Sequence, residues 1–147
     1  MANVELATRI AASADKVWAT FAGPEMVQLL LECYAAKVEV ETDETAGVAT
    51  FVTTLRSGGV LRERMESLDH AERCMKYRVL DAGPLPYANY RGEARVQPCG
   101  TDACVVSFQC SFIPVDASEH DARQHWLDHN HKVLETLREF VEGRRSV

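Results

Sequence analysis

The hydrophobic pattern at the start of the chain predicts one strand and two short helices. Val4, Leu6 and Ile10 alternate with polar residues, which is the period of a half-buried strand. Ser13 is a good N-cap for a first short helix. Pro24 then predicts the start of a second helix, because proline favours the first helical position.

From Lys37 onward the period is two, which predicts six further strands joined by turn residues. The predicted strands are 37–41, 48–56, 60–69, 74–81, 87–97 and 103–115, with a turn at 43–47 between the first two. Short strands at this spacing indicate one antiparallel meander.

The last part of the chain returns to helical spacing. Ser118 is the predicted N-cap, and Gly143 is a suitable stop. The apolar residues between them recur at helical spacing: Trp126, Val133, Leu134, Leu137, Phe140 and Val141. A helix of about 24 residues is about 36 Å long and crosses a whole sheet. We therefore predict an α+β fold, with residues 1–147 forming one domain.

The two faces of the predicted sheet differ sharply in polarity. One face carries mostly charged side chains, and the other is mostly apolar, which is usual for an antiparallel sheet with one covered face. The apolar face comprises Phe51, Thr53, Leu55, Leu61, Glu63, Met65, Met75, Tyr77, Val79, Ala88, Tyr90, Gly92, Ala94, Val96, Cys104, Val106, Phe108, Cys110 and Phe112. The long C-terminal helix is the element large enough to cover it.

Glu63 does not fit this apolar face, since it lies between Leu61 and Met65. A buried carboxylate costs several kcal/mol unless it is paired or hydrated. Tyr77 and Tyr90 add hydroxyl groups that need partners. We interpret the face as the wall of a cavity that holds a guest molecule. Two alternatives stay open for Glu63: it could be exposed at a bulged strand edge, or it could form an internal ion pair with an arginine. Each tyrosine could be an ordinary core residue.

Composition excludes several classes of function. The 147 residues carry a net charge of −6, which argues against nucleic acid as a partner. No apolar run is long enough for a membrane helix, so we expect no membrane insertion. The N-terminus lacks the pattern of a secretory signal, and the five cysteines form no Cys-x-x-Cys pair. We therefore expect a cytoplasmic protein with reduced thiols and no cofactor, and we leave a homodimer open.

Four histidines lie in the last predicted helix. His125 and His129 are four residues apart and share a face, as a metal site would need, but no third ligand is indicated. We expect no metal site and a solvated, pH-sensitive surface instead. His129 lies near the sheet-facing stripe with Trp126 and Val133, so it is a candidate to project into the cavity.

The segments 61–69 (LRERMESLD), 75–79 (MKYRV) and Asn89-Tyr90 carry a resemblance to a known family. They resemble a run found in the START-like superfamily, which includes the birch pollen allergen, polyketide cyclase/dehydratase-like proteins and plant abscisic-acid receptors. The resemblance covers nearly the whole chain. It implies a helix-grip fold, in which a curved seven-stranded sheet wraps the C-terminal helix around a hydrophobic pocket. It also implies that Glu63 and Tyr90 face this pocket.

Two loops match segments that close over the ligand in those receptors, namely 57–59 (SGG) and 84–87 (PLPY). The sequence lacks the Leu-Pro gate and the His-Arg-Leu latch of the receptors, so a hormone-receptor role is not supported. We predict a small hydrophobic molecule as the partner. The predicted ligand-binding residues are Phe51, Leu61, Glu63, Met65, Met75, Tyr77, Tyr90, Phe108, Phe112, Trp126, His129 and Val133, with Glu63 and Tyr90 as the catalytic candidates.

Three functions stay open at this point, because the fold alone does not decide between them. The first is binding of a small hydrophobic ligand without turnover. The second is a cofactor-free polyketide cyclase/dehydratase-type enzyme, in which Glu63 is the general acid or base and Tyr77 or Tyr90 stabilises an enolate. The third is an interaction module that uses the charged outer face. A salt-bridged Glu63 would favour binding without turnover. A cavity with an unpaired buried acid would favour the enzyme, and a filled core would favour the interaction module.

Overall fold

The described residues form seven antiparallel strands and three helices in the predicted order. The computed structural model describes residues 1–43 and 48–143. The strands are β1 (Ala2–Ile10), β2 (Ala35–Asp43), β3 (Val48–Leu55), β4 (Val60–Asp69), β5 (Cys74–Asp81), β6 (Tyr87–Pro98) and β7 (Cys104–Pro114). The helices are α1 (Ala14–Phe21), α2 (Glu25–Cys33) and α3 (Glu119–Val141).

All seven strands belong to one sheet in the order β1-β7-β6-β5-β4-β3-β2. Strands that follow one another from β2 to β7 are neighbours, as a meander requires, and β1 pairs with β7 at one edge. Together with the long C-terminal helix, this confirms the α+β helix-grip fold. The predicted turn at 43–47 lies outside the described residues, apart from Asp43 at the end of β2.

The helix ends follow the predicted capping residues with one small correction. The Ser13 hydroxyl accepts a hydrogen bond from the Lys16 amide, and the Ser118 hydroxyl accepts one from the Asp121 amide. These bonds satisfy amides that have no partner within the helix. Pro24 is the N-cap of α2 rather than its first helical residue.

A bulge in β6 changes which tyrosines face inward. Asn89 and Tyr90 together oppose the single residue Phe112, and Asn89 has a positive φ of 51°. Because the extra residue shifts the alternation, Tyr87 is buried, whereas Ala88 pairs with an exposed residue of β7. The assignment of Ala88 to the inner face was therefore wrong. The alternation breaks at an asparagine, which tolerates the left-handed conformation.

Helix α3 packs directly against β1 and β7. Leu134 and Leu137 of α3 are 1% and 0% exposed, so the half of the molecule between α3 and these two strands is a filled core. The strands β3 to β5 lie beyond that contact. Within the described residues, no helix is both long and apolar enough to cross a membrane.

Gly92 in β6 leaves room for the ring of Tyr77. The two residues are cross-strand partners in β5 and β6. A Cβ atom on Gly92 would lie 2.6 Å from Tyr77 Cε2, which no real contact tolerates. The missing side chain therefore decides where the Tyr77 ring sits on the sheet.

We expect Gly92→Ala to destabilise the fold by about 1–3 kcal/mol, because the added methyl group overlaps the Tyr77 ring and forces it out of its position against the sheet. Urea denaturation measures this loss. The same change in a Tyr77→Val background should cost much less, since the ring is then absent. Equal losses in the two backgrounds would show that Tyr77 is not the group displaced.

Candidate ligand-binding cavity

A cavity of about 360 Å³ lies between α3, the α1–α2 segment and the inner face of β3 to β6. Most of its wall is aromatic or aliphatic. The wall includes eleven of the predicted ligand-binding residues: Phe51, Leu61, Glu63, Met65, Met75, Tyr77, Tyr90, Phe108, Trp126, His129 and Val133. The structure thus brings these side chains together around one cavity.

Phe112 is the predicted residue that does not lie on the cavity wall. It is fully buried at 0% exposure, and the rings of Tyr87 and Tyr90 pack on it, with centroids 4.6 and 6.1 Å away. The bulge at Asn89 turns Tyr87 inward, so two rings lie on Phe112. Phe112 is therefore a core residue behind the wall, and its assignment to the ligand site is corrected.

Several wall residues were not predicted as ligand contacts. Tyr34 follows α2 directly as its C-cap, where no periodic pattern indicates which way a side chain points. Strict alternation places Tyr87 and Tyr90 on opposite faces, but the bulge brings Tyr87 to the inner face, and Asn89 inside a strand was the available signal. His125 lies beside the predicted stripe of α3 rather than on it. All three line the cavity.

The two loops that matched ligand-closing segments touch each other beside the cavity. A Cβ atom on Gly59, which has a φ of 95°, would lie 2.6 Å from Pro84 Cδ. Leu85 and Tyr87, from the second loop and the start of β6, belong to the cavity wall. The β3–β4 turn and the β5–β6 loop therefore pack together at this end of the cavity.

Glu63 occupies the middle of β4 on the cavity wall, opposite Phe51 of β3 and Val79 of β5. Within the described part of the chain it forms no hydrogen bond or ion pair, so the arginine pair considered above is not formed. Its side chain is half-buried and borders the cavity rather than the outer face. Loss of hydration raises the pKa of Glu63 to about 7, since the charged form has no compensating partner.

Two tyrosines interact electrostatically with Glu63. Burial, and then the negative charge of Glu63, raise the pKa of both Tyr34 and Tyr77 above the usual value. Both hydroxyls therefore keep their protons at neutral pH. The surroundings of Glu63 are thus neutral and largely aromatic.

Tyr90 is joined to α3 by a buried hydrogen bond. Trp126 Nε1 donates to the Tyr90 hydroxyl at 2.6 Å. Burial raises the pKa of Tyr90 well above its ordinary value. Because the Tyr90 oxygen accepts from Trp126, its own proton is left for a second partner, and Tyr77 is also a side-chain hydrogen-bond partner of Tyr90.

Two histidines of α3, His125 and His129, each contact a tyrosine. His125 Nδ1 lies 2.6 Å from the Tyr87 hydroxyl, and the His129 ring packs edge-on against Tyr34 at 4.4 Å. Burial, with His125 and Lys132 nearby, lowers the pKa of His129 to about 4, so it is neutral at pH 7. No group of three or more potential metal ligands occurs among the residues that the structure describes.

Thr53 brings an unsatisfied polar atom to the wall. It is 1% exposed, and its hydroxyl oxygen has no hydrogen-bond partner among the described residues. Such a group costs about 1–3 kcal/mol when nothing bonds to it. Thr53 therefore adds a second polar group without a partner among the described residues to the wall that carries Glu63.

The family model described as "Polyketide cyclase / dehydrase and lipid transport" matches residues 1–142. The chain belongs to this family. Membership agrees with the START-like resemblance of the β4, β5 and β6 segments. A search of curated proteins finds no match.

Solved structures of this family's fold superpose on nearly the whole chain. The protein XoxI from Bacillus cereus is 21% identical with a TM-score of 0.77, covering 96% of each chain. The Zhui aromatase/cyclase from Streptomyces sp. R1128 is 20% identical with a TM-score of 0.76, covering 97% of this chain and 94% of its own. Norcoclaurine synthase from Thalictrum flavum is 20% identical with a TM-score of 0.74, covering 95% and 86%. At these identities the similarity shows the shared fold.

Proposed function

We propose that the protein binds a small, mainly hydrophobic molecule in the cavity between the sheet and α3. The observation that carries this proposal is the cavity itself, which is lined by aromatic and aliphatic side chains with a few polar groups among them. Ligand sites have this composition, because apolar walls supply affinity and few polar groups set orientation. The half of the molecule over β3 to β5 contains this cavity. A filled core there would have favoured an interaction module instead.

The size of the cavity limits the ligand. A volume of about 360 Å³ lies at the lower end of the range of small-molecule sites. It suits a molecule of one or two rings better than a long lipid chain. Membership of a polyketide cyclase/dehydrase and lipid transport family supports a hydrophobic ligand of this general kind.

Filling the cavity tests the proposal. Val133 is a buried wall residue of α3, and Val133→Phe should weaken binding of a neutral naphthalene probe by at least about tenfold, which is about 1.4 kcal/mol. The matched control is Val105→Phe, at a half-buried position of β7 outside the cavity. Native mass spectrometry of the purified protein would also detect a ligand that co-purifies. Equal probe affinity in both variants would contradict binding at this site.

A second candidate is a cofactor-free cyclase/dehydratase-type enzyme, which the unpaired Glu63 favours. A carboxylate with a pKa of about 7 is a suitable general base near neutral pH. It would remove a proton from the carbon next to a ligand carbonyl. The Tyr90 hydroxyl would donate a hydrogen bond to the resulting enolate oxygen, and Glu63 would return the proton.

Deuterium exchange at an aryl methyl ketone tests this chemistry without knowledge of the natural substrate. In D₂O the enzyme should exchange the methyl protons faster than buffer does, as followed by NMR. Glu63→Gln should abolish the enhancement while the ketone still binds. If the ketone binds and exchanges at the same rate in the variant, Glu63 is not the base.

The cytoplasmic location and the homodimer stay predictions. Cell fractionation tests the first, and size-exclusion chromatography with light scattering tests the second.

A further inference from the structure

Glu63 is the one carboxylate on the described cavity wall, and the same wall contains no lysine or arginine. The nearest candidates for positive charge are the two histidines of α3. His129 is neutral at pH 7, and His125 is hydrogen-bonded to Tyr87. The cavity therefore offers a bound molecule one negative charge and no fixed positive charge.

This charge pattern disfavours anionic ligands. A carboxylate or sulfonate in the cavity would lose its hydration and gain no cationic partner, and it would also repel Glu63. A fatty acid or a free aromatic acid is therefore a poor occupant, although its apolar part would fit.

Aromatic residues from three elements share the cavity wall with Glu63. Phe51 is its cross-strand neighbour on β3, and Tyr77 of β5 and Tyr34 at the end of α2 both interact with it electrostatically. Ring faces attract a cation, and this attraction grows when water is excluded. A carboxylate among such rings offers a cation both ion pairing and cation–π contact, whereas a neutral hydroxyl would gain only a hydrogen bond.

We propose that the ligand is a cationic arylalkylamine, whose ammonium group pairs with Glu63 and whose ring lies among the apolar side chains near Met75 and Phe108. This inference rests on the proposed function, because it needs a cavity that admits a ligand.

The proposal requires that the affinity for the amine rises with pH through the titration of Glu63. The pKa of Glu63 is about 7 in the free protein, so its ionised fraction grows from about one tenth at pH 6 to about nine tenths at pH 8. The other groups facing the cavity are the four tyrosines, which stay neutral because burial raises their pKa values, together with His129 and His125. The amine keeps its charge throughout, like the lysine ammonium.

The test uses three probes of one naphthalene isomer, namely naphthylethylamine, naphthylethanol and naphthylacetate. Fluorescence titrations are performed at pH 6 and pH 8 with the wild type, Glu63→Gln and the control Glu66→Gln, which alters an exposed position of the same strand. We expect the wild type and the control to bind the amine about tenfold more tightly at pH 8 than at pH 6. Glu63→Gln should lose this gain and bind the amine no better than the alcohol. The acetate should be the weakest probe throughout.

The outcomes separate this inference from the proposed function. Equal binding of alcohol and amine by the wild type at pH 8 would overturn the cationic ligand but leave the hydrophobic site intact. A pH gain that persists undiminished in Glu63→Gln would also overturn it, because the gain would then arise from a group other than Glu63. Failure of all three probes to bind would overturn the inference and the proposed function together.

Discussion

Glu63→Gln is expected to stabilise the folded protein by up to about 3 kcal/mol at pH 8 and to have little effect near pH 4. The pKa of Glu63 is about 7 in the folded state against an ordinary value of 4.5. Below about pH 4.5 the group is protonated in both states, so its contribution to stability is fully present there. As the pH rises to about 7, the unfolded chain loses this proton and the folded chain keeps it, so that contribution is lost. Glutamine resembles the protonated acid and has no such loss.

Urea denaturation of wild type and variant across pH 4 to 8 measures this effect. The free energies of unfolding should diverge progressively between about pH 4.5 and 7 and then run parallel. Glu66→Gln is the matched control, since Glu66 is exposed, and its curve should follow the wild type. A constant difference between Glu63→Gln and the wild type at all pH values would mean that Glu63 is hydrated like a surface residue.

Phe112→Ala is expected to cost about 3–5 kcal/mol of stability, more than the same change at Phe51. Phe112 is fully buried, and two tyrosine rings pack on it, so its loss leaves an empty space inside a filled core. Phe51 is half-buried on the cavity wall and already borders unfilled volume. Fewer packing contacts are lost there, and we expect a cost of about 1–2 kcal/mol.

Ligand affinity should show the opposite order. Phe51→Ala removes a wall contact and should weaken binding of naphthylethanol, whereas the milder Phe112→Leu, which keeps the core filled, should leave it nearly unchanged. Urea denaturation and fluorescence titration provide the two measurements. If Phe112→Ala lowered the free energy of unfolding no more than Phe51→Ala does, the placement of Phe112 in the core and of Phe51 on the cavity wall would be contradicted.

These two expectations share a physical origin, which is that one side of the sheet's inner face is filled and the other is not. Helix α3 packs on β1 and β7, and the cavity takes up the space over β3 to β5. An unpaired carboxylate on the unfilled side reduces stability at neutral pH. Such a cost is typical of functional sites, where a group is held ready for a ligand or a reaction rather than for packing.

Two local errors in the sequence interpretation arise at one bulge. Strict alternation along β6 placed Ala88 inside and left Tyr87 unassigned. The extra residue at Asn89 reverses the phase for the residues before it. A period of two cannot reveal such a shift, because one inserted residue exchanges the faces without changing the composition of the strand.

The sequence by itself determined the element order, the fold and the face on which Glu63 lies, because side-chain alternation and capping are local properties that survive in the folded chain. Only the tertiary structure decided that Glu63 has no ion-pair partner among the described residues, that Tyr34 and Tyr77 interact with it electrostatically, and that a cavity lies beside it. These features depend on how far α3 lies from β3 to β5 and on residues distant in the chain. Hydration and charge compensation are set by that three-dimensional arrangement, so a linear pattern could place the carboxylate but not its environment.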